Sequence, residues 1–147
     1  MVVALTLCTI GYEGRNVDDL LDALLTAGVT RLVDVRELPL SRKRGLSKTA
    51  LGNSLDEVGI AYEHLKPLGN PKENRERYWS GDVEGGAEIY RRHLHNGSYR
   101  TLVDLAESLD DGTICLLCFE RDHEVCHREV IVDSLRGLRP GLAVDHL

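Results

Sequence analysis

Thiol, imidazole and guanidinium groups crowd into one short stretch, CFERDHEVCHRE, running from Cys118 through Cys126, His127 and Arg128. Cys118 stands where an apolar run gives out, and Cys126-His127-Arg128 opens an amphipathic one. A helix begun there offers free backbone N–H groups and a positive dipole end, which favour a bound anion or a thiolate. Cys118 and Cys126 are therefore candidate nucleophiles, with His127 as the acid/base partner and Arg128 as an anion clamp. Small buried hydrophobes would account for the cysteines equally simply, but the density of reactive types favours chemistry. Glu120, Asp122 and His123 lie in the same stretch; solvation explains the last two, while Glu120 is retained as a ligand-binding candidate.

A second constellation is RLVDVRELPLSRKRG. If the strand continues that far, Asp34 and Arg36 point to one side of the sheet, and the acid orients the guanidinium toward a phosphate, sulfate or carboxylate. A structural salt bridge is the plain alternative. Gly11, Tyr12 and Ser41 complete the set of ligand-binding candidates, and Tyr62 and His64 flank the same region.

Zinc is the obvious competitor, since Cys115-x2-Cys118 followed by Cys126-His127 has the look of a ligand set. Residues three apart on a strand face opposite ways, so Cys115 and Cys118 diverge; only Cys118, Cys126 and His127 remain, and no native structural metal is expected, although three ligands plus water could make an open catalytic site. The four cysteines are expected as free thiols, because a chain of 147 residues buries a sufficient core without staples. Other signatures are missing. There is no Gly-x4-Gly-Lys-Ser/Thr phosphate loop and no Gly-x-Gly-x-x-Gly fingerprint, and Glu124 occupies the place of the arginine in a Cys-x5-Arg phosphate loop. The strand end VDVRE is similar to a segment of rhodanese sulfurtransferases, a likeness of fold alone without their compact active-site loop.

The elements that must position these groups follow from periodicity. Short apolar runs alternate with helical patterns, the signature of parallel β/α units. Strands are predicted over Leu5 to Ile10, Arg31 to Val35, Ile60 to Leu65, Thr113 to Cys118 and Ala143 to His146. Helices follow the caps Asn16 and Ser47, then span Ala87 to His95 and Tyr99 to Leu109, broken at Asn96-Gly97; the last runs from Val125 or Cys126 to Leu138. Lys66 to Gly86, with its prolines, charges and the only tryptophan, reads as a long functional or mobile loop that could serve as a lid. The expectation is a single three-layer α/β domain with a mostly parallel sheet of about five strands flanked by helices. Ligands of such sheets bind at the carboxyl ends of the strands, so residues 11–14, 34–41, 64–69 and 118–128 should meet there.

Composition narrows the partners. Hydrophobic residues at 42% and charged ones at 29% are ordinary for a globular protein, no apolar run approaches a membrane span, and MVVALTLCTIGYEG lacks the basic lead and cleavage site of a signal peptide. A cytoplasmic setting is expected, with no membrane partner. The net charge of −6 argues against a general polyanion surface, yet residues 36–77 hold nine Lys/Arg against six acids. That local excess suits one small anionic ligand, phosphorylated or nucleotide-like. It also permits a nucleic-acid module, with Arg42-Lys43-Arg44 and the Lys72 to Arg77 segment on phosphates and Tyr78 or Trp79 stacking on a base. A non-catalytic adaptor is the third possibility. Neither a cofactor nor an oligomeric state follows from these residues.

TIGYEG, LVDVRELPLSRKRGLSK, YEHLKPLGNP and LLCFERDHEVCHRE together closely resemble the domain-of-unknown-function family number 488, across nearly the whole chain. The resemblance implies an α/β domain in which Gly11, Asp34, Arg36, Pro39, Ser41, Leu68, Gly69, Cys118, Glu120, Cys126, His127 and Arg128 match motif positions; it carries no settled activity. Leu46 departs from the family pattern, which commonly has an aromatic residue there.

Overall fold

A computed structural model of the chain describes residues 5–147. Five strands, β1 (Thr6–Gly11), β2 (Arg31–Asp34), β3 (Ala61–His64), β4 (Ile114–Cys118) and β5 (Ala143–His146), form one sheet in the order β3-β2-β4-β1-β5. Every pairing is parallel. Six helices flank it: α1 (Val17–Thr26), α2 (Lys48–Glu57), α3 (Lys72–Trp79), α4 (Val83–Gly97), α5 (Tyr99–Ser108) and α6 (Arg128–Leu138). The α/β class and the parallel sheet agree with the expectation from periodicity, strand ends shifting by a residue.

Alternation along the strands divides the core in two. Cys8, Ile10, Leu32, Cys115 and Leu117 pack with Leu20 and Leu24 of α1 and Leu51 and Leu55 of α2. Leu7, Val33, Leu116 and Cys118 pack on the other face with Tyr90 and Leu94 of α4, Leu102 and Leu105 of α5, and Ile131 and Leu135 of α6. Cys115 and Cys118 thus lie on opposite faces. Local signals start and stop the helices: the Asn16 side chain accepts from Asp19 N at 2.8 Å while Asp19 reaches back to Asn16 N, a capping box, and Gly28 at φ 71° follows the end of α1.

Residues 66–86 are not a long loop. They hold a 3-10 turn (Lys66–Leu68), the whole of α3 and the start of α4. Both prolines sit where a helix tolerates them, Pro67 in the first turn and Pro71 at the N-cap, so neither breaks an element. Helix α3, KENRERYW, has no apolar stripe to betray it. Its buried residues are Asn74 and Tyr78. Asn74 donates from Nδ2 to Asn70 Oδ1 and Gly86 O, and the Tyr78 ring lies against Gly86, where a Cβ would come within 2.8 Å of it. The expected break at Asn96-Gly97 falls instead at Ser98, whose hydroxyl donates to Pro67 O. None of the helices among the described residues is long and apolar enough to cross a membrane.

Candidate functional site

In-register pairing brings the strand ends together, Gly11 beside Cys118, Asp34 beside Leu117, and His64 beside Asp34. The segments beyond them continue the pairing briefly: Tyr12 N donates to Cys118 O at 3.2 Å, Glu13 N to Phe119 O at 2.9 Å, and Val35 N to Leu117 O at 3.0 Å. Above this edge opens a cleft of about 440 Å³, a size suited to a small molecule. Cys118, Cys126, His127, Tyr12, Arg36 and Glu120 line it.

The sequence expectation of four free thiols fails at one pair. Cys118 and Cys126 are joined as a disulfide, while Cys8 and Cys115 are free and buried. The size argument asks whether a fold needs a staple; it says nothing of whether two thiols at one edge meet. Cys118 Sγ has two further neighbours, Glu120 Oε2 at 3.0 Å and Arg128 Nη1 at 3.2 Å. Glu120 is itself held, its Oε1 accepting from Trp79 Nε1 at 3.2 Å. Acid and guanidinium thus both contact the sulfur, with the indole orienting the acid.

His127 is buried and donates from Nε2 to Val35 O at 2.8 Å, leaving Nδ1 3.7 Å from Cys126 Sγ. Burial pushes its pKa down to about 4, against the opposing pull of the Val35 carbonyl, so the ring is neutral near pH 7. The proton acceptor nearest Cys118 is Glu120. Donor atoms of Cys118, Cys126 and His127 lie within 4.8 Å of one another, a Cys2His composition that suits zinc. In the disulfide form the two sulfurs are not thiolate ligands, whereas in the reduced protein all three donors are available.

Both arginines are largely committed elsewhere. Arg128, 1% exposed, donates to Glu120 O, Arg121 O, Thr9 Oγ1 and Cys118 Sγ, and so ties the loop after β4 to β1. Arg36 grips Asp34 through Nε and Nη2 at 2.9 and 2.7 Å and gives Nη1 to Leu46 O, while its guanidinium carbon lies 5.3 Å from the centre of the Tyr12 ring. Asp34, fully buried, also accepts from the Tyr62 hydroxyl, so it orients Arg36 from below the cleft. Ser41 is engaged within its own loop, its Oγ accepting from Lys43 N and its N–H donating to Ser47 Oγ. Gly11 offers no side chain; a Cβ there would lie 1.8 Å from Glu120 O. Gly69 likewise faces Glu37, with 2.3 Å between a built Cβ and Glu37 Cα. Leu46 is fully buried in the core shared with α1 and α2, so its position serves packing.

The side chains that sequence reasoning left out of the site come from α3. Tyr78 and Trp79 line the cleft with Tyr12 and Phe119, so four of the chain's seven aromatic residues meet there. Trp79 is 60% exposed. The Tyr78 hydroxyl is buried without a partner among the described residues, and burial pushes its pKa up to about 12. A Tyr-Trp pair closing an otherwise charged segment was the one available signal.

The family comparison matches residues 16–135 to the Domain of unknown function DUF488. The chain belongs to the DUF488 family. No curated protein and no solved structure matches it. Within the DUF488 match lie both halves of the site, the DVR turn and the CHR helix start, which meet where His127 donates to Val35 O across 92 residues of chain.

Proposed function

We propose that this cleft binds a small, ring-bearing anionic molecule of the nucleotide type and acts on it through the Cys118 thiol. The observation that carries the reading is the placement of Cys118 Sγ at the cleft wall between a carboxylate and a guanidinium, with a second sulfur against it. Four aromatic rings suit a flat ring system. The orphan Tyr78 hydroxyl wants a polar partner, which a buried group rarely lacks. Arg36 borders the cleft and lends it positive charge that suits an anionic substituent.

In the reduced protein Cys118 attacks an electrophilic atom of the ligand, and its proton passes to Glu120. Arg128 favours the developing thiolate. Where the atom attacked is the sulfur of a disulfide carried by the ligand, that attack expels the first ligand sulfur as a thiol, and Cys126 then attacks Cys118 Sγ, forming the protein disulfide and releasing the second; a small-thiol reductant restores both protein thiols. His127, neutral and pinned by Val35, orients Cys126.

The nucleic-acid reading is less favoured, because three of its basic residues make contacts within the protein. Lys43 Nζ donates to Tyr12 O and Arg15 O, Arg75 pairs with Glu37, and Arg77 with Asp82.

Trp79, the only tryptophan, reports on the cleft directly. Titration of reduced protein with AMP should quench its fluorescence saturably and slow iodoacetamide modification of Cys118. Unchanged fluorescence, together with Cys118 alkylating as an ordinary thiol with a midpoint near about pH 8.5, would overturn the proposal.

A further inference from the structure

Away from the cleft, three donors from three separate segments converge: His123 in the 3-10 turn before α6, Glu129 in the first turn of α6, and His146 at the end of β5. Their ligand atoms all lie within 4.8 Å of one another, and none of the three lines the cleft. We propose that His123, Glu129 and His146 form a binding site for one divalent first-row transition metal ion of the zinc class. This inference does not rest on the thiol chemistry.

The imidazoles stack face to face, centroids 3.5 Å apart and planes 3° from parallel, with His123 Nδ1 in hydrogen-bonding contact with Glu129 Oε2. Two histidines this close repel each other when both are protonated; imidazole lone pairs lie in the ring planes and run parallel in the stacked pose, so a shared cation engages both only once the rings turn. His146 is oriented from behind. Its Nδ1 meets Thr9 Oγ1 at 2.6 Å, which leaves Nε2 as the ligating nitrogen. Thr9 is fully buried, and its hydroxyl also accepts from Arg128 Nε at 3.3 Å. A metal-bound histidine characteristically has its second nitrogen anchored in this way.

Two imidazoles and one carboxylate select against calcium and magnesium, which take oxygen ligands, and suit zinc or its first-row neighbours. Tetrahedral geometry with bonds of about 2.0–2.1 Å separates ligand atoms by roughly 3.3 Å, so binding parts the His123–Glu129 contact and turns the two rings until their nitrogens converge on one ion. His123 and Glu129 side chains are 27% and 31% exposed, which gives an ion access. Binding displaces the proton shared by His123 and Glu129 to solvent and leaves a coordination position for water.

The test uses the full chain stripped with a chelator. Zn²⁺ titrated calorimetrically should bind one ion per chain, and Co²⁺ should give visible d–d bands without thiolate-to-cobalt charge transfer. His146→Ala and Glu129→Gln should each weaken binding at least tenfold, and Thr9→Val about tenfold, while Cys118→Ser/Cys126→Ser leaves it unchanged. Absence of stoichiometric binding, retention of affinity in the ligand variants, or a charge-transfer spectrum showing cysteine ligation would each overturn the site. Where a variant does not fold, the Co²⁺ spectrum of the unaltered protein decides.

Discussion

Asp34 shows how much one carboxylate can organise. Fully buried at the end of β2, it takes three hydrogen bonds from the Arg36 guanidinium and one from the Tyr62 hydroxyl. Its hydrogen bonds and charge raise the Arg36 pKa against the opposing effect of burial. Burial and the same carboxylate together raise that of Tyr62. Breaking a buried pair by neutralising one partner leaves the other charge uncompensated, a loss of about 3–5 kcal/mol. Asp34→Asn is expected to lose stability on that scale in urea unfolding, whereas Tyr62→Phe, which removes a single hydrogen bond, costs about 1 kcal/mol. A loss below 1 kcal/mol for Asp34→Asn would show that the pair is not what orients Arg36.

At the level of elements, the site depends on how closely β1 approaches the loop after β4. Gly11 ends β1 against the Glu120 carbonyl, the same carbonyl that Arg128 Nη1 holds at 2.6 Å. A Cβ 1.8 Å from that oxygen cannot be accommodated by a rotamer change, because the obstacle is backbone. Gly11→Ala should therefore lower stability by about 2–3 kcal/mol and loosen the loop, so that Cys118 in reduced protein reacts faster with a bulky maleimide. Unchanged unfolding and unchanged reactivity would refute this packing. Helix α3 makes a related point: its polar composition hid it, and its amide and aromatic contacts with Asn70 and Gly86 hold it in place.

On the scale of the whole molecule, His127 ties the amino end of α6 to the turn after β2. Its pKa lies at about 4 in the folded state, against an ordinary value of 6.5. The unfolded chain takes up a proton on this ring as pH falls through about 6.5, and the folded chain does so only near 4. The contribution to stability is complete above the unfolded value and fades as pH drops across that window, by up to about 3 kcal/mol. Urea midpoints should fall between pH 7.5 and 4.5, and His127→Gln should flatten that dependence. An equally steep fall in the variant would assign the acid sensitivity to other groups.

Much of the architecture was legible before any coordinates. Alternating apolar runs with helical periodicity dictate parallel β/α units, the Asn16 cap and Gly28 bound α1, and the carboxyl edge where residues 11–14, 34–41, 64–69 and 118–128 meet follows from the handedness of the crossovers. What tertiary structure alone decided is how each polar atom is spent. Sequence patterns record which face a side chain occupies, but hydrogen-bond and sulfur partners depend on segments brought together from far along the chain. Cys118 therefore meets Cys126 instead of standing free, Arg128 turns inward to backbone carbonyls, Trp79 reaches Glu120 from a helix without an apolar stripe, and His146 stacks on His123.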